Sequence, residues 1–80
     1  MTIDINQLGI RLASSKQMGN YYLCGTKTEV TAYKIVSYEN LQPKTLEYFG
    51  STSNDGLTWD EAYDAIIGKP DAPDFTKVVA

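Results

Sequence analysis

The run Glu29-Val30-Thr31-Ala32-Tyr33-Lys34-Ile35-Val36-Ser37-Tyr38 contains neither glycine nor proline and is dominated by β-branched and aromatic side chains. That is the composition of a strand, and it commits the middle of the chain to a sheet. Val30, Ala32, Lys34 and Val36 share one face, and Thr31, Tyr33, Ile35 and Ser37 share the other. Neither face is cleanly apolar, which implies partial cover on both. Tyr21-Tyr22-Leu23-Cys24-Gly25 has the same character. Thr26-Lys27-Thr28 is short enough to join the two as a hairpin. A turn is expected over Glu39-Asn40-Leu41-Gln42-Pro43, with the proline ending ladder pairing there. A third strand is predicted from Thr45 to Gly50.

Helices are predicted on either side of these strands. Ile5, Leu8 and Leu12 recur at helical spacing, Asp4 with Gln7 has the form of a capping box, and Gly19 suits the position after a last helical residue. The spacing therefore predicts a helix over 5–18. A strand is the competing reading, because Leu8, Ile10 and Leu12 also alternate and Gly9 weakens a helix by ~1 kcal/mol. The second helix has a clearer start. Thr58 caps it, Glu61 completes the box, and Asp60 and Glu61 suit the positive end of the helix dipole. Trp59, Ala62, Tyr63, Ile66 and Ile67 follow at helical spacing, and Gly68 and Pro70 stop it. The expected fold is α+β: a small single domain over 1–68, of order α-β-β-β-α, with a three-stranded antiparallel sheet covered on one face by two helices. Residues 69–80 are expected to form an extended C-terminal tail, with Phe75, Val78 and Val79 available to dock on the body or on a partner.

The chemistry the chain can perform is bounded by the residues it lacks. The sequence has 80 residues, no histidine and one cysteine, Cys24. A histidine base and a Ser–His–Asp or Cys–His nucleophile are therefore excluded within one chain. One thiol cannot supply a structural zinc site or an internal disulfide. No cation adjoins Cys24 in sequence to activate it, so it reads as a buried structural thiol. Asn54-Asp55-Gly56 reads as a turn, since it lacks the further oxygen ligands of a calcium loop. The stretch Gly50–Gly56 lacks the lysine of a Walker loop. The expectation is no catalytic residue, no metal and no cofactor, hence not an enzyme.

Ten acidic and seven basic residues give a net charge of −3. The cations are spread along the chain, so direct nucleic-acid binding is not expected. No apolar run approaches the ~20 residues of a membrane span, and the first residues lack the basic start and apolar core of a signal peptide. A cytoplasmic protein that makes no membrane contact is expected.

The order α-β-β-β-α resembles that of double-stranded RNA-binding domains. Those carry a lysine cluster at the start of the last helix, where this chain has Asp60, Glu61 and Asp64. Size, acidity and element order also resemble small phage-encoded inhibitors, including certain anti-CRISPR proteins. The tyrosines, Tyr21, Tyr22, Tyr33, Tyr38, Tyr48 and Tyr63, supply rigid contact area with a hydrogen-bonding tip. The expected function is a small acidic, tyrosine-rich protein-binding module, of the phage-inhibitor type, that occludes a partner, itself a candidate nucleic-acid-binding protein. The expected contact residues are Tyr33, Ile35 and Tyr48 on an open sheet face, and Asp60, Glu61 and Asp64 on the acidic helix. The alternatives are a homo-oligomeric accessory or structural protein, paired through its sheet, and a small-ligand binder.

Overall fold

The computed structural model describes residues 2–8, 14–68 and 72–79. Its strands are β1 (Thr2–Asp4), β2 (Ser14–Met18), β3 (Tyr21–Gly25), β4 (Glu29–Glu39) and β5 (Gln42–Ser53), and its helix is α1 (Trp59–Ile66). They form one five-stranded antiparallel sheet in the order β1-β5-β4-β3-β2. The expected three-stranded sheet with two helices is therefore corrected to five strands with one helix. The resemblance to double-stranded RNA-binding domains rested on the order α-β-β-β-α and lapses with it; the resemblance to small phage-encoded inhibitors loses element order and keeps only size and acidity.

The correction falls mostly on the first twenty residues. The Asp4 capping box forms: Asn6 N donates to Asp4 Oδ1 at 2.8 Å, and Asp4 N donates to Gln7 Oε1 at 2.7 Å. The helix it starts is a single 3-10 turn, Ile5–Gln7. Ser14–Met18 lack apolar helical spacing and instead pair with Tyr21–Gly25 along their whole length. Gly19, expected after a helix, is the first central residue of that hairpin turn, with φ 62°. Both roles need the left-handed region that glycine reaches without cost, so the residue alone does not separate them. The remaining part of the expected helix, residues 9–13, lies outside the described residues.

The β4–β5 hairpin is longer than its sequence signals imply. Only Asn40 and Leu41 form the turn, with φ 53° and 65°, the type I′ geometry that matches strand twist. Pro43 sits inside β5 opposite Tyr38, beside register shifts in β4–β5. It is tolerated because prolines belong to strand starts and bulges, where no ladder donor is lost.

A cluster of buried side chains lies on each face of the sheet. Leu23, Val30 and Ala32 face Trp59 and Ala62 of α1 and Val78 of the C-terminal segment. Leu8, Cys24, Ile35 and Leu46 form the second, with Ile3, Ile5, Tyr22 and Tyr33 packed against it. The alternation of β4 explains the split: Val30 and Ala32 point one way, Tyr33 and Ile35 the other. The segment 72–79 is held on the helical side. Lys77 bridges to Thr58, Ser14 Oγ donates to the Val78 carbonyl, and Val78 N donates to Leu57 O at 3.0 Å. A Cβ on Gly25 would lie 2.0 Å from Val78 Cγ1, so a residue without a side chain is needed there.

Two stability measurements test this packing. Leu41 is 97% exposed in a left-handed turn position, so Leu41→Gly should raise stability by about 0.5–1 kcal/mol in denaturant unfolding. No gain would contradict the turn geometry. Gly25→Ala should cost about 2 kcal/mol by overpacking, and much less in a Val78→Ala background. Equal costs in the two backgrounds would contradict the contact.

Candidate functional site

Register, rather than proximity in sequence, assembles the most distinctive surface of the molecule. Tyr22 of β3 stands opposite Tyr33 of β4, and Tyr33 stands opposite Tyr48 of β5. Directly paired residues of antiparallel strands project from the same face. The three tyrosines therefore form one row across the sheet, extended by Gln17 of β2 opposite Tyr22. The Tyr33 and Tyr48 rings meet edge to face, with centroids 6.2 Å apart and planes at 81°. The next row is Ser15, Cys24, Thr31 and Ser51. Its hydroxyls fix two phenols: Ser15 Oγ lies 2.8 Å from Tyr22 Oη, and Ser51 Oγ lies 3.4 Å from Tyr48 Oη. Beyond it stands Glu29, whose Oε1 accepts from Thr31 Oγ1 at 3.2 Å. Tyr22 and Tyr33 are half-buried, while Tyr48 is 59% exposed.

Alternation along β5 puts a second aromatic group on the other face. Ala32 pairs with Gly50 and Tyr33 with Tyr48, which leaves Phe49 as the extra residue of a bulge. The bulge re-aims its side chain. Phe49 meets Tyr21 edge to face at 5.2 Å, and Tyr21 meets Tyr63 of α1 at 6.1 Å. Adjacent Tyr48 and Phe49 thus bracket β5 from both sides. Among the described residues, only Thr45–Glu47 of β5 have a strand, β1, on their outer side.

The sequence-predicted contact residues divide across these faces. Tyr33 and Tyr48 belong to the row. Ile35 is buried in the second cluster, opposite Leu46, and offers little contact area. Asp60, Glu61 and Asp64 lie on α1, on the opposite side of the sheet, so the two halves of the expected footprint do not join. The three acids also differ in what they touch. Glu61 is committed to the cap, accepting from Thr58 N at 2.9 Å, while Thr58 Oγ1 accepts from Glu61 N at 3.2 Å. Asp60 accepts a hydrogen bond from Asp74 N, and Lys16 pairs with the Asp74 carboxylate. Asp64 alone is both exposed and clear of these structural bonds. Charge reversal at Asp60 or Glu61 would thus perturb folding before it reported on a partner. Sequence reading missed Tyr22, Ser15, Ser51 and Phe49 as members of the site. Opposite-face alternation of Tyr21 and Tyr22, and of Tyr48 and Phe49, points toward the first and the last; the register that places Ser15 and Ser51 has no local signature.

Burial governs ionisation here. It pushes the Cys24 thiol up to about 12, which favours the neutral thiol near pH 7. It also raises Tyr33 above the ordinary phenol value, with smaller contributions from Cys24, Tyr48 and Glu29. Among the described residues, no group of three or more Cys, Asp or Glu side chains is placed to hold a metal ion, and no helix is long and apolar enough to cross a membrane. No family model, curated protein or solved structure matches this chain.

Alkaline titration tests the environment of the row. Ionisation of a group whose folded pKa is raised leaves stability intact below the unfolded value and removes it as pH climbs through the folded one. Phenolate absorbance should therefore show a late-ionising step that is lost in Tyr33→Phe, with stability falling above about pH 10. Tyr33→Phe that leaves the late step in place would contradict the assignment.

Proposed function

We propose that the chain is a protein-binding module that works by stoichiometric occupation of a partner's surface, with the Tyr22–Tyr33–Tyr48 row as its contact face. One observation carries the reading: an ordered tyrosine row bordered by serine and threonine hydroxyls, with Tyr48 standing 59% exposed at its end. Tyrosine brings large area at the entropy cost of two side-chain torsions, and small hydroxyl residues add adaptable hydrogen bonds. Binding surfaces are enriched in that pairing. The edge-to-face packing of Tyr33 on Tyr48 and the Ser15 bond to Tyr22 hold the rings before a partner arrives, which lowers the ordering cost of association.

Tyr48 is the residue to change, because it is exposed and its removal leaves both buried clusters intact. In a tagged capture from lysate of the source cells, Tyr48→Ala should lose a stoichiometric partner that Asp64→Asn, on the opposite side of the sheet, retains. Equal retention by both variants would contradict this face.

A second reading, self-association, is favoured by the outer side of β5 beyond Glu47. The stretch Tyr48–Ser53 carries no charge, so two copies could pair there without opposing like charges. A molar mass of two chains by light scattering at micromolar concentration supports that reading, and a mass of one chain removes it.

A further inference from the structure

The charge around the row indicates what kind of partner it accepts, an inference that rests on the binding face proposed above. Glu29 stands on the tyrosines' side of the sheet, one row beyond Thr31, whose Oγ1 donates to it. Three of the five described cations are directed elsewhere, and Lys77 lies in the C-terminal segment beside Thr58. Lys16 pairs with Asp74 on the helical side, and Lys44 lies 3.0 Å from Asp4 at the far end of β5. Lys34, opposite Tyr21 and Glu47, shares the helical face. Lys27 lies in the turn before β4. The ionisable groups that act on Tyr33 are Cys24, Tyr48 and Glu29, with no cation among them. Aromatic ring faces carry negative potential and attract ammonium and guanidinium groups. A carboxylate beside them adds to that attraction, and the chain as a whole bears −3.

We infer that the Tyr22–Tyr33–Tyr48 row, flanked by Glu29, docks an extended, arginine- or lysine-bearing segment of a partner protein. Three adjacent strands span about 10 Å, two strand spacings. Glu29 lies four residues from Tyr33 along β4, about 13 Å, which an extended segment spans in about four residues, so one cationic side chain can lie over the Tyr48 ring while another, four residues away on the same face of the segment, approaches Glu29. A neutral or acidic segment would gain the contact area and forgo both charge contacts.

Synthetic peptides separate these cases. The full chain would be titrated with an alternating arginine–serine peptide, and with versions in which glutamine or glutamate replaces arginine. Affinity and tyrosine ring proton shifts would be read by NMR. The arginine peptide should bind and move the Tyr33 and Tyr48 ring signals. Tyr48→Ala should weaken it about fivefold, Glu29→Gln about threefold, and Tyr48→Phe, which keeps the ring, should leave it nearly unchanged. Asp64→Asn should have little effect. If the glutamine or glutamate peptide binds as well, with the same dependence on Tyr48, the inference about charge is overturned and the binding face stands. If the arginine peptide binds wild type and Tyr48→Ala equally, its attraction to the protein is general and the inference is overturned. Absence of binding by every peptide overturns it also, and leaves the face to be judged by partner capture.

Discussion

The rest of the structure depends on β4 carrying core side chains on both faces. A strand with one apolar face needs one covering layer; Val30 and Ala32 on one side and Tyr33 and Ile35 on the other require two. An 80-residue chain has little material to supply them. The chain divides the task between its ends. The 3-10 turn and Leu8 cover one face, and α1 with Val78 covers the other. Each layer is small, so each is tied by specific bonds: the Asp4–Gln7 box on one side, and the Thr58–Glu61 box with the Thr58–Lys77 bridge on the other. Among the described residues, neither layer reaches the full length of β4 and β5, and the tyrosine row occupies sheet surface that the described N-terminal cover leaves half-open.

What was legible in the sequence followed from local chemistry. The second capping box, the β-branched run of β4 and the hairpin from β3 to β4 are each written in a few adjacent residues, and each forms where its residues stand. The first capping box also forms, but a cap specifies where a helix begins and not how far it runs. Past Gln7 the length is decided by competition, and Ser14–Met18 gain a complete antiparallel ladder against Tyr21–Gly25 that a helix would forgo. Thr2–Asp4 become a strand only because Thr45–Glu47 offer an edge. Long-range pairing of this kind leaves no mark within three residues.

The same division applies to the site. That tyrosines matter, and that Tyr33 and Tyr48 belong together, follows from composition and alternation. That Tyr22 completes the row depends on the register of two separate hairpins, whereas Phe49 on the face opposite Tyr48 follows from the alternation of adjacent residues in β5. The acidic helix illustrates the reverse error. Asp60, Glu61 and Asp64 look like a surface patch in sequence, yet two of the three serve the cap and the C-terminal segment. A charge cluster at a helix start is accounted for by the helix before it is offered to a partner.

The central claim is that one register places Tyr22, Tyr33 and Tyr48 on the face opposite α1. Ring-proton NOEs in the folded protein test it most directly. The account predicts contacts from Tyr33 to Tyr48 and from Tyr21 to both Phe49 and Tyr63, with none between Tyr48 and Tyr63. Contacts from Tyr48 to the side chains of α1 would contradict it, because a one-residue slip of β5 would carry Tyr48 to the other face.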